Sequence, residues 1–169
     1  MRWLLCLLSA LLLIVSGQVP VPAGDKAADY LKGDMLKERI EVVEALIGGF
    51  GGVSGGYFAV EPNGSWTAGG VKGPPLAKPG IREEKAKGKL TKEQLSQLAK
   101  EFARNDFAHL PSHGVPASGS KTIEIYFGKK VSVLNANPGK SSAEEDKAIR
   151  ARYNEIAQAV KILCKEPKK

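Results

Sequence analysis

Two histidines, His109 and His113, are separated by three residues in the stretch HLPSH, and their spacing resembles that of a metal-binding pair. Asp106 is the nearest carboxylate that could supply a third ligand to a zinc ion. Pro111 lies between the histidines, and a proline breaks the helix that would aim both rings at one ion. The pattern therefore favours two histidines in surface loops. A hydrolase or metal-dependent enzyme that uses them is a less favoured hypothesis than the two non-catalytic functions described below.

Other groups capable of catalysis lack a suitable context. Ser112 and Ser118 fall in predicted loops, without the Gly-x-Ser-x-Gly elbow of a serine nucleophile. The paired carboxylates Glu83 and Glu84, and the acidic run 144–146, lie among charged residues, where burial is not expected to raise a carboxyl pKa. The sequence thus predicts no catalytic residue, no metal ligand and no enzyme.

The stretch IGGFGGVSGGYFAV, residues 47 to 60, contains six glycines and suggests a phosphate-binding loop. A dinucleotide loop needs glycines at i, i+2 and i+5 before a helix, and Gly49 and Gly51 fit the first two positions. Position 54 is a serine, however, and a strand is predicted to follow. The Gly-Lys-Ser/Thr end of a P-loop and a helix start that would attract phosphate are absent as well. We therefore expect no nucleotide and no other cofactor.

Two interpretations of these glycines remain. Glycine at a strand end often marks a bulge or a turn that no side chain would tolerate, and this role needs no ligand. Alternatively, glycine lets the main chain approach another protein closely while an exposed aromatic ring fills a pocket. The candidate partner-binding residues in the second case are Gly48, Gly49, Phe50, Gly51 and Gly52.

The first 17 residues have the pattern of a secretory signal peptide, with a basic start, an apolar run and a small-residue exit. The apolar run is shorter than the roughly 20 residues needed to span a bilayer, so we expect no integral membrane segment after cleavage. The predicted mature chain has 169 − 17 = 152 residues and is secreted or periplasmic. Cleavage would also remove Cys6 and leave Cys164 without a disulfide partner, so the apolar core must hold the fold.

The formal net charge of +7 comes from lysines spread along the chain with acidic residues between them. A nucleic-acid groove would need clustered basic residues and exposed aromatics, so no nucleic-acid partner is expected. The length suits a single domain, which we predict at 38–165, between an N-terminal tether at 18–37 and a C-terminal tail at 166–169.

The pattern of elements begins with a short helix around 30–38 and strands at 39–46 and 57–61. A three-residue turn at 62–64 would place Val60 opposite Trp66 and Phe58 opposite Ala68. Residues 69–89 are rich in glycine, proline and lysine and predict a long surface connection, with an extended piece at 81–87.

Helical signals follow. Thr91 and Gln94 form a capping box, apolar residues recur at helical spacing, and Asn105 with Asp106 ends the helix. A last helix starts near Ser142, which forms a second capping box with Glu145, and has one apolar stripe.

Between these helices, the hairpin 121–127 and 130–134 is predicted to have three loop residues, 128–130. This register puts Phe127 opposite Val131 and Ile125 opposite Val133, so that the apolar side chains share one face. The order β-β-β-α-β-β-α predicts an α+β fold, in which an antiparallel sheet of four to five strands carries two helices on one face.

Several of these segments together resemble the emfourin family. They are Arg39-Ile-Glu-Val, the core Gly48-Gly-Phe-Gly-Gly52, Leu90-Thr-Lys-Glu-Gln-Leu95, Asp106-Phe-Ala-His-Leu-Pro111 and the late hairpin with its helix. The resemblance implies an inhibitor of thermolysin-like zinc proteases, in which Phe50 enters the pocket that takes a bulky apolar residue. The alternative is an envelope or extracellular scaffold domain whose glycine loop is purely structural.

Overall fold

The computed structural model describes residues 26–48, 52–73, 81–112, 119–135 and 144–165. The predicted signal peptide, the first part of the tether (18–25) and the predicted C-terminal tail lie outside these residues. The same is true of Ser142, so the second capping box is not among the described features.

The described elements form an α+β fold, as predicted. All paired strands are antiparallel, and the main sheet has six strands in the order β6-β5-β4-β3-β7-β8. In chain order, the elements are α1 (Ala27–Tyr30), β1 (Leu31–Lys32), β2 (Met35–Leu36), β3 (Ile40–Ile47), β4 (Val53–Val60), β5 (Ser65–Gly73), β6 (Ile81–Lys89), α2 (Lys92–Arg104), a 3-10 turn (Phe107–His109), β7 (Lys121–Phe127), β8 (Lys130–Asn135) and α3 (Glu144–Leu163).

The predicted count of four to five strands and two helices is too low. The main sheet has six strands, and the described residues form three α-helices. Much of the predicted surface connection 69–89 is strand, because β5 continues to Gly73 and β6 covers 81–89. The sequence of β6, IREEKAKGK, has no apolar alternation because an edge strand is mostly solvated and charged residues protect its open edge.

Residues 26–37, assigned to the tether, pack against the domain. The predicted helix at 30–38 is wrong: α1 ends at Tyr30, and β1 and β2 form a small hairpin. The buried Tyr30 ring lies edge-on to Phe102, at 5.5 Å between centroids, and to Phe127, at 5.2 Å. Leu36 is buried as well, so this segment contributes to the core.

The main core lies between the sheet and the helices. The two longer helices, α2 and α3, present buried residues to the sheet: Leu95, Leu98 and Phe102 from α2, and Tyr153, Ile156 and Val160 from α3. The capping box of α2 is confirmed: the Gln94 backbone N–H donates to Thr91 Oγ1 at 3.3 Å, and the Thr91 N–H donates to Gln94 Oε1 at 2.8 Å.

The first hairpin register is confirmed. Val60 pairs with Trp66 and Phe58 pairs with Ala68. Gly64 adopts the left-handed conformation (φ 85°) that closes the three-residue loop.

The second hairpin register is wrong. Phe127 pairs with Lys130, Tyr126 with Val131 and Ile125 with Ser132. The loop therefore has two residues, and Gly128 takes the positive φ (57°) that glycine provides at the first position of a type II′ turn.

A polar network explains why Ser132, rather than a valine, faces the core. Ser132 is 1% exposed and shares a hydrogen bond with the Tyr153 hydroxyl, which also donates to the Pro111 carbonyl at 2.6 Å. Burial raises the pKa of Tyr153 to about 12. Matching valines to the apolar face missed this arrangement, because Tyr153 is distant in sequence from β8.

The sheet is strongly curled. Arg82 on β6 and Glu41 on β3 are separated by two intervening strands, yet Arg82 Nη2 lies 2.6 Å from Glu41 Oε1. In a flat sheet these strands would be about 14 Å apart. The curl encloses a second apolar cluster on the face opposite α2 and α3: Val43, Ala45, Tyr57, Ala59 and Val71.

Candidate partner-binding loop

The predicted loop starts from a hydrogen-bonded base. Ile47, the last residue of β3, pairs with Val53, the first of β4. Beyond this pair, the Gly48 N–H donates to the Gly52 carbonyl at 2.7 Å. Gly52 has φ 73°, which side-chain-bearing residues rarely adopt, so glycine at this position has a conformational reason.

The two residues that precede β7, Gly119 and Ser120, hold the base from the other side. The Ile47 N–H donates to the Ser120 carbonyl at 2.9 Å, and the Gly119 N–H donates back to the Ile47 carbonyl at 2.5 Å. Ser120 is 1% exposed, Ile47 is half-buried and Gly119 is exposed, so the base lies at the boundary between the packed sheet and solvent. Because it is bonded on both sides, the end of β3 can move little relative to the sheet.

Of the five predicted site residues, the structure brings together Gly48 and Gly52. Gly49, Phe50 and Gly51 lie outside the described residues. The prediction that Phe50 is an exposed anchor therefore stays a prediction.

The loop base belongs to a sheet end that sequence reasoning did not identify. The pairs Val53–Gly73, Lys72–Ile81, Leu46–Lys121 and Thr122–Asn135 show that β3, β5 and β8 end there and that β4, β6 and β7 start there. Connections at one end of a rigid sheet are a common location for binding residues. The register was needed to see this, since the six strand ends are scattered between residues 47 and 135.

An open cleft of about 410 Å³ lies beside the loop base. Leu46 and Ile123 supply apolar lining, whereas Ser54, Lys121 and Asn154 supply polar groups. Leu46 lies in β3, two residues before Gly48, and 44% of its surface is exposed. On the same wall, Glu44 is paired with Lys161 of α3 at 2.6 Å.

The histidine region has a structural role in the described part of the chain. Asp106 Oδ1 lies 2.7 Å from His109 Nδ1, and its Oδ2 lies 3.3 Å from Arg152. Arg152 also donates to the Asn105 and Asp106 carbonyls, at 2.7 and 2.8 Å, and so satisfies backbone acceptors at the end of α2. His113 lies outside the described residues, among which no three His, Cys, Asp or Glu side chains are grouped to hold a metal ion.

The serines and carboxylates considered for catalysis also have other contacts where they are described. Ser112 Oγ accepts the Val133 N–H of edge strand β8 at 3.2 Å, and Ser118 is outside the described residues. Glu83 pairs with Lys72 at 3.1 Å, on the exposed strand β6. The Ser112 contact satisfies a backbone N–H of an edge strand, and the Glu83 contact is an ion pair on the protein surface.

Cys164 is buried, and burial raises its thiol pKa to about 12, which keeps it protonated at neutral pH.

None of the helices in the described ranges is long and apolar enough to cross a bilayer. Neither a scan against protein-family models nor a search among curated proteins finds a match for this sequence.

Proposed function

We propose that this chain is a secreted, non-catalytic binding module that offers the loop Gly48–Gly52 to a protein partner, and that the partner is a thermolysin-like zinc protease. The observation that carries the proposal is the set of backbone hydrogen bonds on both sides of the loop base. Ile47 is hydrogen-bonded to Ser120 and Gly119, and Gly48 is hydrogen-bonded to Gly52. The resemblance of the Gly-Gly-Phe core to the emfourin family supplies the class of partner.

The mechanism is occlusion of the protease cleft. A base held by β4 on one side and by the residues before β7 on the other reduces the conformational entropy that binding would otherwise cost. Glycines beside Phe50 let main chain approach the cleft, and the aromatic ring occupies the pocket for a bulky apolar residue. The inhibitor supplies no zinc ligand in this mechanism, and no catalytic residue.

The scaffold alternative also has specific support. Gly52 has a positive φ, and a Cβ on Gly55 would lie 2.0 Å from the Glu44 carbonyl oxygen. Two of the six glycines in 47–60 therefore have structural reasons that need no partner. In this case the chain is an envelope or extracellular scaffold domain.

Substitution of Phe50 separates the two functions. The proposal expects the wild-type chain to inhibit a thermolysin-like protease, and Phe50→Ala to lose at least about 2 kcal/mol of binding free energy, as anchor residues do. The thermal midpoint should stay unchanged, and Phe50→Leu should retain much of the inhibition. Loss of folding in Phe50→Ala, or full inhibition by it, would reject Phe50 as an exposed anchor and favour the scaffold.

A further inference from the structure

The cleft beside the loop base is continuous with the proposed binding site. Its lining includes Leu46, two residues before Gly48, and Ser54, two residues after Gly52. A partner that contacts the loop therefore reaches the cleft without crossing other described elements. Leu46 exposes 44% of its surface there and, together with Ile123, forms the apolar part of the cleft wall.

The cleft lining contains two charged residues, Glu44, which is paired with Lys161, and Lys121. Lys121 is exposed on the sheet side. On the helix side, Arg150 and Lys147 precede Asn154 by four and seven residues, so they share its face of α3. The structure gives Lys121, Lys147 and Arg150 no ion pair with a described residue, whereas Lys161 on the same helix face is neutralised by Glu44.

The direction of α3 brings this basic face toward the loop. Lys161 lies beside Glu44, and Asn154 lies with Leu46 and Lys121 in the cleft, so α3 runs antiparallel to β3. Lys147 lies seven residues before Asn154, or roughly 10 Å further along the helix axis. Arg150 and Lys147 thus continue from the cleft toward the sheet end that carries Gly48 and Gly52, and the acidic run 144–146 precedes them at the start of α3.

We propose that this cleft is a second contact surface for the protein partner, and that it takes an apolar side chain of the partner flanked by acidic residues. The apolar group would lie on Leu46 and Ile123, and the partner's carboxylates would pair with Lys121 and Arg150. This inference rests on the proposed function, because it assigns the chemistry of the surface that surrounds the protease pocket.

Other occupants fit less well. A second copy of the predicted mature chain carries the same positive net charge, +6 after loss of Arg2 from the full-chain +7, so two such surfaces would repel each other. An anionic lipid surface would satisfy the lysines, but its polar headgroups would not pack on the apolar lining of Leu46 and Ile123. Charge complementarity therefore favours an acidic protein segment.

The test compares charge reversal at the cleft with the same reversal elsewhere. The double variant Lys121→Glu/Arg150→Glu and the single variant Leu46→Ser are compared with a control, Lys129→Glu, in the β7–β8 turn at the opposite end of the sheet. The probe is a thermolysin-like protease, and the readouts are the inhibition constant at low and high salt and the thermal midpoint of each variant.

We expect the inhibition constant to rise about tenfold or more in the double variant and in Leu46→Ser, and less than about twofold in the control. The effect of the double variant should shrink at high salt, whereas that of Leu46→Ser should persist. Unchanged inhibition by folded cleft variants, with inhibition lost in Phe50→Ala, would overturn the cleft and leave the proposed function standing.

Two further outcomes would also overturn the inference. If the wild-type chain inhibits no thermolysin-like protease, the proposed function falls and the cleft assignment falls with it. If charge reversal lowers co-sedimentation with phosphatidylserine vesicles but leaves inhibition unchanged, Lys121 and Arg150 bind lipid. A change in sedimentation velocity of the free chain caused by Leu46→Ser would instead identify a second copy as the occupant.

Discussion

The guanidinium group of Arg82 on β6 bonds to the carboxylate of Glu41 on β3 through both Nε and Nη2, at 2.7 and 2.6 Å. Glu41 also pairs with Arg39 at 3.2 Å, and Arg82 lies 5.9 Å from the centre of the Tyr57 ring. The side chains are 25% and 14% exposed, so the pair is largely removed from water. This contact joins strands that are not neighbours and maintains the curl of the sheet over its second apolar cluster.

Replacing Arg82 with Met should destabilise the fold by about 2 kcal/mol, because Glu41, 14% exposed, would lose the closer of its two arginine partners and retain only Arg39. Urea unfolding monitored by circular dichroism measures the change. The exposed pair Lys72–Glu83 provides the control, since Lys72→Met should cost less than about 1 kcal/mol. Equal losses in the two variants would show that the Arg82 contact does not maintain the curl.

Gly55 and Gly56 should respond very differently to alanine. A Cβ at Gly55 would lie 2.0 Å from the Glu44 carbonyl oxygen, whereas at Gly56 the nearest atom is the Gly69 oxygen at 3.4 Å. We expect Gly55→Ala to cost about 3 kcal/mol through overpacking, and Gly56→Ala less than about 1 kcal/mol. Denaturant midpoints check the difference, and equal tolerance would mean that β3 and β4 can separate at this point.

The Tyr153 hydroxyl should contribute to stability together with Ser132. Tyr153→Phe removes the donor to the Pro111 carbonyl and leaves Ser132 without its buried partner, at a cost of about 1–3 kcal/mol. Ser132→Ala in the Tyr153→Phe background should cost less than in the wild type, because the partner is already lost. Additive losses in a double-mutant cycle would contradict this coupling.

Stability should fall as the pH rises above 9 because of Cys164. Burial raises its pKa from 9.0 to about 12. As the pH rises above 9, the thiol of the unfolded chain therefore loses its proton while that of the folded chain keeps it, and the free energy of unfolding falls. Between pH 9 and 10 the effect precedes that of Tyr153, whose pKa rises from 10.0 to about 12. The slope of unfolding free energy with pH is up to about 1.4 kcal/mol per unit for one group.

The check is urea unfolding at pH 7, 9 and 10 for the wild type and Cys164→Ala. The substitution should lower stability at pH 7 by leaving a small cavity, and should reduce the loss between pH 9 and 10. An identical loss over that interval in both proteins would assign the pH dependence to other groups.

Local chemistry accounts for the parts of the fold that were predicted correctly. The capping box of Thr91 and Gln94, the end of α2 at Asn105 and the register at Val60 depend on residues close in sequence. Tyr30 was misplaced because its partners Phe102 and Phe127 lie far along the chain. The extended piece predicted at 81–87 corresponds to β6, but it was placed in a surface connection because its pairing with β5, rather than an apolar pattern, makes it a strand of the sheet.

The sequence by itself determined the α+β class, the helix that begins after Thr91, and the register of the hairpin at Val60 and Trp66. The start of β4 at Val53, four residues before the predicted strand 57–61, was decided by its pairing with β3. Tertiary structure alone decided that Ser120 holds the base of the Gly48–Gly52 loop and that Leu46 and Lys121 share a cleft with Asn154. It also decided the Ser132 register. The physical reason is that caps and turns are governed by neighbouring residues, whereas strand partners and buried polar contacts are selected by the packing of the whole chain.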